Sequence, residues 1–228
     1  MIDENYKYNI SVMCPTRKRV NGCISSCDAL LEHAAFPARV EILLMFDDDD
    51  LESYEKVKEH YKDKDNVKTF VSERHGYTHL HKYYNFLAEE AEGKWLFIWN
   101  DDATIGTKNW DLVPMSHGDE FRLIACAQDY PGTCLFPIFP KKWVELTGRV
   151  SNNCSNDTWV QDVSLASQTY VQDKRLHIHH LRETPEFQDD TNKERVYDTE
   201  RFYSNEQKQE REDDIRKIIE YLESLKNG

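Results

Sequence analysis

Two nearly unbroken apolar runs, each ending abruptly in acidic residues, constrain this chain more than any other feature. Val40-Glu-Ile-Leu-Leu-Met-Phe46 runs into four consecutive aspartates, Asp47 to Asp50, and Lys94-Trp-Leu-Phe-Ile-Trp99 runs into Asn100-Asp101-Asp102. A strand apolar on both faces needs cover on both faces, which is the condition of a parallel strand inside an α/β sheet. Neither run approaches the roughly 20 residues that a membrane-spanning helix needs. The neighbouring segments agree. Tyr8 to Cys14 reads as a strand closed by Pro15-Thr16, and Val67 to Val71 as a short one. Cys23 to Ala35 and His79 to Glu92 carry helical apolar stripes, stopped by Phe36-Pro37 and by Gly93, and Leu51 to Asp63 reads as a charged surface helix. This alternation predicts an α/β fold, a mostly parallel, doubly wound sheet flanked by helices. In such sheets ligands bind outside the carboxyl ends of the strands, where both acidic clusters fall.

Further along, Phe121 to Ala127 and Leu135 to Phe139 read as strands and Lys141 to Thr147 as a short helix. A helix over 157–170 has Asp157 or Thr158 as its cap, and residues 176–181 alternate like a strand. After Thr184 the chain is strongly charged, until Ile215, Ile218, Ile219, Leu222 and Leu225 share one helical face. The expected organisation is one α/β domain over 1–184 and a charged helical extension over 185–228.

Charge limits the partners. With 29 basic and 42 acidic residues the net charge is −13, and no basic block exceeds Arg17-Lys18-Arg19. Nucleic acid is therefore disfavoured, while a small anion held by a few placed cations or a metal stays open. The six cysteines form no C-x-x-C pair, so reduced, buried thiols are expected rather than a zinc site. The opening Met-Ile-Asp-Glu-Asn has no signal-peptide character, and a cytoplasmic protein without a membrane span is the expectation.

Several clusters could carry chemistry. Asn100-Asp101-Asp102 at a strand end suits a hard cation such as Mg²⁺ or Mn²⁺, although Asn and Asp also favour simple turns. Asp47 to Asp50 either form a solvated loop with a helix cap at Asp50 or offer a carboxylate to a nucleobase N–H. His177-Ile-His179-His180 places residues 177 and 179 on one face of a strand and 180 on the other, and imidazole is a common metal ligand. In Asp157-Thr-Trp-Val-Gln-Asp162 an aspartate is a general base or a cap. Capping suits Asp157 better, because Asp162 would lie inside the helix. Arg17, Lys18 and Arg19 are either phosphate forks or a solvated loop.

Taken in order, these pieces resemble a GT-A-fold glycosyltransferase of the family 2 type. The resemblance rests on Ile10-Ser-Val-Met-Cys-Pro-Thr-Arg17, the strand ending in Asp47-Asp48, and His75-Gly-Tyr-Thr78. It continues through Tyr84-Asn85 to Ala91-Glu-Gly93, Trp95 to Asp102, and Asp162, covering about residues 8–182. It implies that Pro15, Thr16, Arg17, Asp47, Asp48, Tyr77, Asn100 and Asp101 surround the nucleotide. It implies that Asp102 binds the metal with His180, or with His179, and that Asp162 is the general base. The usual D-x-D element reads Asn100-Asp101-Asp102 here, aspartates 49–50 replace the commoner Gly-Ser, and the absence of a Q-x-x-R-W element argues against a processive synthase. The activity implied is metal-dependent, inverting transfer from a nucleotide-diphosphate sugar, UDP-sugar favoured, to an acceptor hydroxyl, with Mn²⁺ or Mg²⁺ as cofactor. The alternatives are a sugar nucleotidyltransferase, disfavoured by the single glycine between Pro15 and Gly22, and a non-catalytic carbohydrate- or Ca²⁺-binding module.

Overall fold

A computed structural model describes residues 3–128, 133–193 and 195–227. Among the described residues eight strands form one mixed sheet: β1 (Tyr8–Pro15), β2 (Val40–Asp47), β3 (Val67–Ser72), β4 (Gly93–Ile98), β5 (Ala103–Ile105), β6 (Leu123–Gln128), β7 (Ile138–Pro140) and β8 (Tyr170–His180). Their order is β3-β2-β1-β4-β7-β6-β8-β5. The first four are parallel, in the register Ile10 to Val40 and Ile10 to Trp95. The chain then reverses, since β7 runs antiparallel to β4 and β6, while β8 lies parallel to β6 and antiparallel to β5.

Helices cover both faces, as the unbroken apolar runs require. β1 and β2 bury every residue from Tyr8 to Cys14 and from Val40 to Asp47. On one side Ile10, Val12 and Cys14 pack with Cys23, Cys27 and Leu30 of α1 (Val20–His33) and Val57 of α2 (Leu51–His60). On the other, Met13, Leu43 and Leu96 pack with Tyr83, Tyr84 and Leu87 of α3 (Leu80–Glu90). All six cysteines are buried and free, as expected. Gly93 lets β4 close on β1, because a Cβ there would lie 2.6 Å from the Ser11 nitrogen and 2.7 Å from the Ile10 carbonyl carbon.

The second half completes the core. Short α4 (Leu112–Ser116) and α5 (Lys142–Thr147) precede α6 (Asn156–Ala166), which packs Trp159, Val160 and Val163 inward. After β8 come the short helices α7 (Asp190–Lys193) and α8 (Thr199–Phe202), then α9 (Asn205–Asn227). α9 sets Ile218 in the core with Ile215 and Leu222 against it, whereas Ile219 and Leu225 stay exposed. Its buried Asp214 accepts from Trp159 Nε1 (3.1 Å) and Arg149 Nη2 (3.0 Å). No helix among the described residues is long and apolar enough to cross a membrane.

Candidate active site

The carboxyl ends of β1, β2 and β4 open into one cleft, where polar side chains can meet without disturbing the sheet's hydrogen bonds. Of the residues expected around a nucleotide, Pro15, Thr16, Arg17, Asp47, Tyr77, Asn100 and Asp101 line it. Asp48 does not. It stays outside, accepting from the Arg74 backbone N–H (3.2 Å) and stapling the loop after β3.

At one end Asp47 leaves the last position of β2, 7% exposed. It accepts from the Tyr83 hydroxyl and from Arg17 Nη1 (3.3 Å), and Arg17 also holds Asp49. Burial lifts the Asp47 carboxyl above the ordinary range against the pull of the Tyr83 bond and Arg17. Asp50 starts α2 as expected, but its side chain accepts from the Lys18 backbone N–H (2.6 Å) and the Ser53 hydroxyl (2.8 Å) instead of capping the helix backbone. The four adjacent aspartates thus escape mutual repulsion by dividing their partners.

At the centre β4 delivers Asn100, Asp101 and Asp102. Asn100 Oδ1 accepts from the Tyr84 hydroxyl (3.2 Å). Asp101 accepts from Thr16 Oγ1 (2.7 Å) and Arg19 Nη1 (2.8 Å). Asp102 meets His180 because β5 and β8 pair antiparallel with Ala103 opposite His180. The Leu181 N–H also donates to the Asp102 carbonyl (2.7 Å). This brings Asp102 Oδ1 within 3.0 Å of His180 Nε2. Burial raises the Asp101 carboxyl and outweighs Arg19. Burial also opposes the Asp102 charge, but the His180 bond and Arg19 prevail and hold that carboxyl below the usual range.

Among the described residues no three His, Cys, Asp or Glu side chains converge as a metal site, and Asp102 and His180 meet as a pair. Asp102 Oδ1 and His180 Nε2 are joined by a direct hydrogen bond of 3.0 Å, and a carboxylate and an imidazole are both donor types that a divalent ion takes. Mg²⁺-type sites commonly take one or two protein groups and complete their shell with phosphate and water. The pair therefore fits such an ion. His180 Nδ1 is buried with no hydrogen-bond partner. His179 points to the opposite face of β8, exposed, with its Nε2 3.2 Å from where a Cβ on Gly106 would lie. The alternation of the strand removes it from the cleft.

Asp162 is also elsewhere. Its side chain is 45% exposed, 3.9 Å from Arg211 of α9, and it does not line the cleft. The aspartate of α6 that does so is Asp157, in the first turn behind the N-cap Ser155. Five residues along a helix turn a side chain by about 140°, so the two aspartates cannot share a face. Asp157 Oδ1 accepts from the Thr158 N–H (2.8 Å). Burial raises its carboxyl, opposed by the Thr158 bonds and by the charge of His180.

The remaining wall comes from the segment after β8. Asp189 takes the Arg19 fork on both oxygens (2.7 and 2.9 Å), Arg19 lies over the Phe187 ring, and Thr191 donates to the Arg17 carbonyl (3.2 Å). Thr191, Asn192, Arg195 and Tyr197 then line the cleft. No periodicity in this polar stretch announced that role.

No protein-family model matches the sequence, and no curated protein matches it by sequence. The fold is that of the GT-A glycosyltransferases. The mannosyltransferase PcManGT from Pyrobaculum calidifontis, in complex with GDP-Man and Mn²⁺, superposes with a TM-score of 0.63 at 13% identity, over 80% of this chain and 59% of its own. S. aureus TarS 1–349 with UDP gives 0.59 at 13% identity, over 75% and 60%. The same TarS fragment with UDP-GlcNAc gives 0.54 at 14%, over 77% and 61%. The chain thus spans about three fifths of the length of these structures.

Proposed function

We propose that this chain is a metal-dependent glycosyltransferase that moves a sugar from a nucleotide-diphosphate sugar to an acceptor hydroxyl, with Asp157 as the general base. One observation carries the reading: the carboxylate–imidazole pair of Asp102 and His180 shares a cleft with the half-buried carboxylate of Asp157. The fold neighbours add support, since those proteins bind GDP-Man, UDP and UDP-GlcNAc.

In this reading the nucleoside lies against Pro15, Thr16 and Arg17, with Asp47 accepting from a base N–H. Asp102 and His180 would hold the ion, Mn²⁺ or Mg²⁺, and Asn100 would accept from a ribose hydroxyl. When bound, the ion supplies electrostatic stabilisation of the charge that develops on the departing diphosphate. Arg19 Nη1, 2.8 Å from Asp101, fixes that side chain beside the site. Asp157 removes the proton from the acceptor hydroxyl as its oxygen attacks the anomeric carbon, and burial suits it to that task by raising its proton affinity. A single displacement of this kind inverts the anomeric configuration.

The test is thermal unfolding with UDP, GDP, CDP or ADP, each with and without Mn²⁺. A ligand at a hundredfold excess over its Kd adds about 2.7 kcal/mol to stability. One diphosphate should raise the melting temperature in a Mn²⁺-dependent manner, and Asp102→Ala should abolish the dependence. No shift with any pair would overturn the reading and favour a non-catalytic module.

A further inference from the structure

One wall of the cleft, formed by Tyr77 and the segment after β8, carries an exposed aromatic ring and a cation. Tyr197 lines the cleft yet is 54% exposed. It meets Tyr77 edge to face at 5.8 Å. The strap that bears it is fixed beside the start of α6, because Cys154 Sγ donates to the Val196 carbonyl (4.0 Å) three residues before Asp157. The charge of Asp157 is also felt at the Tyr77 phenol. The ring therefore lies in the same cleft as Asp157, on a segment fixed beside the start of α6.

Arg195 lies over the Tyr197 ring, 5.4 Å from its centroid. Every other arginine of the cleft has a carboxylate neighbour: Arg17 has Asp47 and Asp49, Arg19 has Asp101 and Asp189, Arg74 has Asp49, and Arg182 has Glu183. For Arg195 no ion pair occurs among the described residues. In a chain of net charge −13, a guanidinium 5.4 Å over an aromatic ring, with no ion pair among the described residues, is suited to fork an anion.

Resting on the transferase reading, we propose that Tyr77, Arg195 and Tyr197 form the acceptor subsite, and that its ligand is a saccharide bearing an anionic group, carboxylate or phosphate. A pyranose ring has an apolar C–H face that packs on an exposed aromatic ring and a hydroxyl rim that reaches Asp157. Arg195 is placed to take the anionic substituent in bidentate fashion. Tyr197 sets the plane of the ring and Arg195 sets the charge preference, so the pair determines specificity rather than chemistry.

Ligand-observed NMR on the full chain tests this, with UDP and Mn²⁺ present and, in parallel, absent. The probes are methyl glucuronide, glucose 6-phosphate and neutral methyl glucoside. Both charged sugars, or one of them, should bind about tenfold more tightly than the neutral one. A preference for the glucuronide alone identifies a carboxylate ligand, and for the phosphate alone a phosphorylated one. Arg195→Gln should erase the charge preference and leave methyl glucoside unchanged. Tyr197→Ala should weaken all three, and Tyr197→Phe should restore them. Equal binding of the three probes to the wild-type chain overturns the proposal. So does an Arg195→Gln variant that loses UDP affinity instead, which would place the guanidinium on the donor diphosphate. Failure of UDP to bind while the charged sugars still do would refute the transferase reading and leave the saccharide subsite standing.

Discussion

Replacing Asp157 by asparagine separates the two aspartates of α6. The asparagine oxygen retains the bond from the Thr158 N–H, seen at 2.8 Å in the wild type, so the first turn of the helix keeps its shape. What is lost is proton-accepting capacity at a site where burial raises it. Removing a general base costs typically 10²- to 10⁴-fold in rate, and the diphosphate, held elsewhere in the cleft, should keep its affinity within about twofold. The control is Asp162→Asn. That carboxylate is 45% exposed and 3.9 Å from Arg211, an arrangement worth at most about 1 kcal/mol, and turnover should be unaltered. Release of the nucleoside diphosphate from the donor sugar, with water as acceptor, provides an assay that needs no knowledge of the natural acceptor. Full turnover in Asp157→Asn, or loss of turnover confined to Asp162→Asn, would refute the reasoning and return the base to the later aspartate.

Three further perturbations probe the scaffold. His81 is 5% exposed, its Nδ1 has no hydrogen-bond partner, and burial, with the charges of Arg201, His79 and Lys82, pushes its pKa down to about 4. The unfolded chain therefore binds more protons below pH 6.5, and stability should fall as pH drops from about 6.5 towards 4, by up to about 3 kcal/mol. Urea titrations across that range should show the loss, and His81→Leu should flatten it. Asp214→Ala strands Trp159 Nε1 and Arg149 beneath α9 and should cost about 3 kcal/mol, read as a lower urea midpoint. Gly93→Ala puts a Cβ 2.5 Å from Ser11 Oγ and 2.6 Å from the Ser11 nitrogen. Because backbone cannot yield as a side chain does, a cost of about 1–3 kcal/mol is expected, and an unchanged midpoint would show that β1 and β4 can part.

The parallel half of the sheet was legible because its strands are apolar on both faces and end in acid. Val40 to Phe46 and Trp95 to Trp99 could satisfy water nowhere, and the alternation with α1, α2 and α3 followed from helical spacing. The second half was harder to read. β5 is three residues long, and β8 begins six residues before the His-rich stretch because Tyr170 to Arg175 is largely polar. Leu135 to Phe139 suggested a full strand, but β7 holds only Ile138 to Pro140. α6 opens behind Ser155 instead of at Asp157 or Thr158. Short strands such as β5 and β7 take their conformation from the partner strand, and that partner is distant in sequence.

The sequence by itself determined the parallel half of the sheet, its two covered faces and the crevice at the carboxyl ends of β1, β2 and β4, since hydrophobic period and strand-end polarity act over a few residues. Tertiary structure alone decided which side chains share that crevice. Asp102 and His180 are 78 residues apart and meet only through the β5–β8 register, while His179 is turned away by one step of the same strand. Asp157 enters the cleft and Asp162 leaves it because a helix rotates 100° per residue, an angle meaningless until the helix is docked. Arg195 and Tyr197 reach the site because Asp189 and Thr191 tie their segment to Arg19 and Arg17. A charge pattern in sequence does not say where a strap will cross, because that depends on an ion pair and a hydrogen bond made across about 170 residues of chain.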